Sequence, residues 1–141
     1  MTDYVLAGGC LCGALRYRSE AQPKFVTACY CTDCQKESGA GHLTLAAVDG
    51  ASLELTGPAA TYTGMADSGL PVTRTFCPTC GSTLLGHPQS LGGLAMVRAG
   101  TLDNSADIAP GLAIFTASAT PWDQPPEGMR SFAGMPPVRK A

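Results

Sequence analysis

The sequence is poor in aromatic and charged side chains. Of its 141 residues, 6% are aromatic and 14% are charged, and the net charge is −2. The basic residues are scattered and form no stripe of the kind that follows a phosphate backbone. No apolar run approaches the ~20 residues that cross a bilayer. We therefore expect neither a nucleic-acid partner nor a membrane.

Secretory and disulfide features are also missing. The opening residues 1–6 have no basic segment followed by a long apolar one, so they do not resemble a secretory signal. We expect a cytoplasmic protein, in a compartment where cysteines stay reduced or bind metal. The odd count of seven cysteines fits this expectation better than a simple disulfide framework.

Turn-forming residues are abundant, with 17 glycines and 11 prolines. They predict an all-β fold of small sheets, in a single domain over residues 1–141. Strands are expected at 14–18, 24–30, 42–48, 52–55, 60–63, 72–76, 82–85, 94–99 and 112–117. Asp49-Gly50 predicts a hairpin between the third and fourth of these. A single helical turn is expected at 32–38, and an irregular C-terminal tail from about residue 120.

Four cysteines form two pairs far apart in the sequence, Cys10 with Cys12 and Cys77 with Cys80. Each pair is followed by a glycine, as in a tight metal-binding knuckle. Two such pairs make a closed tetrahedral zinc site when the fold brings them together, and the ion then contributes folding energy. The alternative is a pair of redox-active dithiols, although no thioredoxin-type βαβ pattern surrounds them.

The other three cysteines, Cys29, Cys31 and Cys34, lie within six residues. Strand geometry places the first two on one side, and the following turn brings the third round. Three protein ligands leave a fourth position open, which is typical of catalytic zinc. Three thiolates also make a weak Lewis acid, so the expected ligand is a soft thiol or thiol adduct. Three ordinary half-buried thiols, or an iron site, are the alternatives.

The cysteine pattern resembles the glutathione-dependent formaldehyde-activating enzyme family, also called the centromere-protein-V-like family. The resemblance rests on residues 8–17, on the Cys29, Cys31 and Cys34 triplet, and on 74–82. Residues 100–103, Trp122 and 128–132 fit the second half of the family's pattern. It covers nearly the whole chain.

This resemblance implies a β-tent-like fold with zinc knuckles and two zinc ions per chain. A structural zinc would lie on Cys10, Cys12, Cys77 and Cys80, and a catalytic zinc on Cys29, Cys31 and Cys34. The implied activity is that of a carbon–sulfur lyase acting on glutathione and formaldehyde, through S-hydroxymethylglutathione. Two family histidines are replaced, by Tyr30 and by Ala113. These replacements bear on any proton transfer or substrate contact that the imidazoles provide.

Several other side chains are candidates for a role at these sites. His42 could serve as a proton carrier or as a fourth metal ligand, although a histidine in such a position is more often a structural residue. Arg74 could neutralise thiolate charge or bind a carboxylate, or stay solvated. Asp33 and Glu37 could cap the turn, while His87 is expected on the surface. Trp122 is expected to anchor the core, with a ligand cleft as the alternative.

Two other classes of function compete with the lyase. One is a non-catalytic zinc-binding module that binds a thiol metabolite or a protein partner. The other is a redox or metal sensor, which would require the three clustered cysteines to oxidise reversibly.

Overall fold

The computed structural model describes residues 5–136, which are mainly β, with two sheets and one short α-helix. The predicted all-β class is therefore confirmed. The helix α1 spans Thr32–Ser38. The strands are β1 (Leu6–Gly9), β2 (Arg16–Ser19), β3 (Phe25–Cys29), β4 (Leu43–Asp49), β5 (Glu54–Thr56), β6 (Ala60–Met65), β7 (Pro71–Phe76), β8 (Thr83–Pro88), β9 (Leu94–Arg98), β10 (Leu112–Ile114) and β11 (Arg130–Ser131).

The chain divides into two compact units. The first contains the residues up to Phe25 together with Ala46–Ile108, and the second contains Val26–Leu45 together with the residues from Ala109 onward. The proposal of a single domain over residues 1–141 stays a prediction, and both ends of that range lie outside the described residues. No helix in the described part of the chain is long and apolar enough to cross a membrane.

In the first unit, β1, β2 and β5 form an antiparallel sheet in which β2 is central. Tyr17 on β2 is 2% exposed, and its hydroxyl lies 2.7 Å from Thr101 Oγ1. Gly8 faces Tyr17 across the sheet, and a Cβ at residue 8 would lie 2.4 Å from the Tyr17 hydroxyl. Strands β6 to β9 pair antiparallel in chain order. Leu84 and Leu85 on β8 and Val97 on β9 are fully buried.

In the second unit, β10 pairs in parallel with β3 on one side and with β11 on the other. The register sets Ala113 opposite Ala28. These two alanines and Tyr30 form a buried cluster, with Ala119 and Met129 packed against it. The small side chains at 28 and 113 leave room for the large ring of Tyr30, which is 1% exposed.

The predicted hairpin at Asp49-Gly50 is wrong. Residues Gly50–Ser52 form a short 3-10 turn, in which the Asp49 carboxylate accepts a hydrogen bond from the Ala51 N–H. The following strand, β5, pairs with β2 instead of returning along β4. The strand predicted at 112–117 is also too long, because Phe115 adopts a left-handed conformation (φ 56°) and the chain turns there. Strands β1 and β11 were not predicted.

Candidate metal centres

The first metal centre is a cluster of the four paired cysteines, which lie in the first unit. Cys10 and Cys12 lie between β1 and β2, and Cys77 and Cys80 lie between β7 and β8. All four sulfur atoms are within 4.8 Å of one another. Cys12 Sγ is 3.6 Å from Cys10 Sγ and 3.8 Å from Cys77 Sγ. Tetrahedral zinc–thiolate bonds of about 2.3 Å set sulfur atoms about 3.8 Å apart, so the donor set fits zinc.

The two halves of this cluster have matching backbone turns. The Gly13 N–H donates to the Cys10 carbonyl at 3.1 Å, and the Gly81 N–H donates to the Cys77 carbonyl at 2.8 Å. Both glycines adopt positive φ, 82° and 81°, which a residue with a Cβ takes up at a cost. The glycine that follows each pair in the sequence is therefore part of the knuckle, as predicted.

Hydrogen bonds lower the pKa of two of the four thiols in this cluster. The Leu15 N–H donates to Cys10 Sγ at 3.3 Å and lowers the pKa of that thiol. Ser82, whose Oγ is 3.4 Å from Cys80 Sγ, lowers the pKa of Cys80 to about 5. Thiolate is the form that ligates metal, so these contacts favour the ligating form at Cys10 and Cys80. The Ala14 backbone lowers the pKa of Cys12, but the neighbouring cysteines, Cys10 first, outweigh it and raise that pKa to about 11.

The second metal centre is the cluster of Cys29, Cys31 and Cys34, whose sulfur atoms also lie within 4.8 Å of one another. Cys29 ends β3, Cys31 is the N-cap of α1, and Cys34 lies in the first turn of that helix. The Cys34 N–H donates to Cys31 Sγ at 3.3 Å, which fixes the turn that brings the third sulfur round. Cys29 and Cys34 are buried, whereas Cys31 is partly exposed. Cys31 is therefore the most exposed of the three cysteines.

The three thiols share their protons unequally. Hydrogen bonds from Cys29 and then Cys34 lower the pKa of Cys31 to about 2. The bond between Cys29 and Cys31 raises the pKa of Cys29 to about 12. The pKa of Cys34 is raised by its bonds to Cys29 and Cys31 and by burial. Like charges so close together oppose further ionisation. A divalent cation would allow all three to ionise, so the donor set suits a soft metal such as zinc.

Tyr30 lies between two of these cysteines in sequence but points away from them. Side chains alternate along an extended chain, so Tyr30 shares a face with Ala28 and not with Cys29 or Cys31. Its ring stacks on His42, with centroids 4.6 Å apart and planes at 26°. Burial, and then the charge of Asp123, raises the pKa of Tyr30. Tyr30 is therefore no base at neutral pH.

His42 is held by a carboxylate that the sequence did not reveal. Its Nδ1 lies 2.6 Å from Asp123 Oδ2. This bond orients the imidazole, and the role of His42 stays a prediction. Asp123 was missed because it is far along the chain, in a stretch expected to be an irregular tail. Gln35 was also missed, although its Nε2 donates to the carbonyls of Tyr30 and Ser118 at 2.9 Å each.

The remaining candidates take varied positions. Trp122 is 73% exposed, so the expectation that it anchors the core is wrong. His87 is exposed as expected, but it lies in β8 and not in a turn. Asp33 lies in the first turn of α1, whose cap is Cys31 and not a carboxylate. Arg74 lies in β7, in the same unit as the four-cysteine cluster. Glu37 lies on α1.

Comparisons with known proteins agree on this scaffold. The family model described as glutathione-dependent formaldehyde-activating enzyme matches residues 5–118. A solved structure of a Rhodobacter sphaeroides protein superposes with a TM-score of 0.56 at 20% identity, covering 74% of this chain and 91% of that one. At that identity the likeness concerns the fold alone. A search of curated proteins gave no significant match.

Proposed function

The chain belongs to the glutathione-dependent formaldehyde-activating enzyme family, and we propose that it is a zinc-dependent carbon–sulfur lyase. Its substrate would be the adduct of a thiol with a small aldehyde, of the S-hydroxymethylglutathione type. The observation that carries the proposal is the three-cysteine cluster, with its two buried cysteines and one partly exposed cysteine. In this proposal Cys10, Cys12, Cys77 and Cys80 hold a structural zinc, and Cys29, Cys31 and Cys34 hold a catalytic one.

In this reaction the main task of the protein is to position the thiol adduct. Cleavage of a hemithioacetal breaks the carbon–sulfur bond, releases the aldehyde, and transfers the hydroxyl proton to water while the sulfur leaves as thiolate. A zinc ion on the three cysteines would supply a position that favours that soft thiolate. Cys29, Cys31 and Cys34 hold the site, and the partly exposed side at Cys31 admits the substrate. In the reverse direction, adduct formation, holding the thiol and the aldehyde together accounts for most of the expected acceleration. Such thiol chemistry suits the cytoplasmic location that the sequence predicts.

A non-catalytic zinc module is the second candidate, and one observation favours it. Neither residue that stands where the family has a histidine carries a base suited to neutral pH. Tyr30 is buried with a raised pKa, and Ala113 is apolar. The module would bind a thiol metabolite or a protein partner without turning it over.

Exchange between free and adduct-bound formaldehyde tests the lyase proposal. We would measure the exchange rate by NMR in glutathione and formaldehyde, with zinc-loaded wild type, Cys34→Ala and Lys36→Ala. Lys36→Ala is the matched control, since Lys36 is exposed on the same helix. We expect wild type and Lys36→Ala to accelerate exchange above the buffer rate, and Cys34→Ala to lose at least about 90% of that acceleration because the third ligand is gone.

Two results would count against the lyase proposal. Full acceleration in Cys34→Ala would remove the three-cysteine cluster from the reaction. Wild type that holds two zinc ions yet leaves the exchange at its buffer rate would favour the binding module.

A further inference from the structure

We propose that His42, Asp123 and Gln35 are positioning residues that fix the three-cysteine loop and thereby slow the release of its metal. This inference rests on the metal assignment of the proposed function. None of these three residues is among the ligands. They act through Tyr30, the residue that joins Cys29 to Cys31.

The ring of Tyr30 is held by the residues packed against it. Its ring packs among Ala28 and Ala113 and stacks on the imidazole of His42. That imidazole is oriented by the 2.6 Å bond between its Nδ1 and Asp123 Oδ2. Glycine at residue 41 makes the approach possible, because a Cβ there would lie 2.3 Å from Asp123 Oδ2. The carboxylate therefore determines where the imidazole and the tyrosine ring can lie.

The backbone of Tyr30 is fixed separately. Gln35 lies on α1, one residue after Cys34, and its Nε2 donates to the Tyr30 carbonyl. The same nitrogen donates to the Ser118 carbonyl. One amide group thus joins the peptide between two ligands, the helix that carries the third, and the segment that begins at Ser118.

We call residues 118–123 the strap. It is anchored to Gln35 at one end and to His42 at the other. A turn inside it is closed by the Asp123 N–H donating to the Thr120 carbonyl at 3.1 Å. Gln124 Nε2 donates to the same carbonyl at 2.8 Å. Both anchors converge on Tyr30, so the strap restrains that residue through its ring and through its carbonyl.

Restraint of this kind matters for a metal site. A ligand can leave the metal only if its backbone moves, and groups that orient ligands typically change metal affinity by about 10- to 100-fold. We therefore expect that loss of an anchor speeds metal release from the three-cysteine cluster by about 10- to 100-fold. The four-cysteine cluster contains none of these residues, so its release rate should stay unchanged.

The test is zinc release to excess 4-(2-pyridylazo)resorcinol from protein loaded with two zinc ions. The variants are Asp123→Ala, Asp123→Asn and Gln35→Leu, and the control is Asp67→Asn, at an exposed carboxylate in the first unit. Wild type should show two phases. The phase that reports release from the three-cysteine cluster should be faster in Asp123→Asn than in wild type and faster still in Asp123→Ala, because asparagine keeps a neutral acceptor for the imidazole. Gln35→Leu should quicken the same phase, and Asp67→Asn should quicken neither.

Trp122 provides a second readout, because it is the single tryptophan of the chain and precedes Asp123. Its emission should shift in Asp123→Ala before any metal leaves. An unchanged rate of release from the four-cysteine cluster shows that the variant is still folded. Unchanged release in both Asp123→Ala and Gln35→Leu would overturn the inference alone. A wild type that loads only one zinc would overturn both the inference and the proposed function.

Discussion

Thr120 carries a hydroxyl oxygen that is buried without a hydrogen-bond partner among residues 5–136. An unsatisfied buried polar atom costs about 1–3 kcal/mol. Thr120→Val keeps the shape and removes that cost, so we expect the free energy of unfolding to rise by about 1 kcal/mol. Urea denaturation at saturating zinc measures it, with Thr61→Val, at an exposed position in β6, as the control. A loss of stability in Thr120→Val alone would show that the hydroxyl has a partner.

The clustered cysteines were the most predictable residues, because cysteine spacing is local and chemically specific. Cys29, Cys31 and Cys34 could be assigned to one loop directly from the sequence. The residues that support them could not. Asp123 reaches His42 across 81 positions, and no local pattern encodes such a contact. The prediction that Trp122 anchors the core failed for a related reason. A large apolar ring is buried on average, but the sequence does not show which residues surround this one.

Helix α1 contains Cys34 and is capped by Cys31, and its end is set by Gly39. That glycine has φ 71°, and its N–H donates to the Gln35 carbonyl at 2.8 Å. A Cβ there would meet nothing within 4 Å, so Gly39→Ala carries only the conformational cost. We expect a loss of about 1–2 kcal/mol in the free energy of unfolding, measured with urea. Gly134→Ala is the control, since it too has open space but no positive φ. Equal effects of the two substitutions would contradict this account of the helix end.

Strand positions followed from alternation and turn residues, whereas strand partners did not. The pattern at 42–48 located β4 within one residue at each end. The Asp-Gly pair that follows is common in hairpins, but here Asp49 caps a 3-10 turn and the chain goes on to pair with β2. Strand β1 was missed because two of its four residues are glycine, which weakens any strand pattern.

Each compact unit contains one cysteine cluster, the four-cysteine set in the first and the three-cysteine set in the second. The sequence predicted both sets, since the members of each pair or triplet lie within six residues of one another. It did not predict the division into two units, because a boundary inside β4 leaves no linker of distinctive composition. The assignment of catalytic and structural roles to the two clusters remains a prediction.

Metal stoichiometry tests the central claim most directly. Protein purified without added metal or chelator would be measured by native mass spectrometry, as wild type and as Cys34→Ala. We predict two zinc ions per chain in the wild type and one in the variant, because the four-cysteine cluster is complete without Cys34. Folded wild type with no metal, or a variant that still holds two ions, would contradict the claim that this protein is built around one closed and one open zinc site.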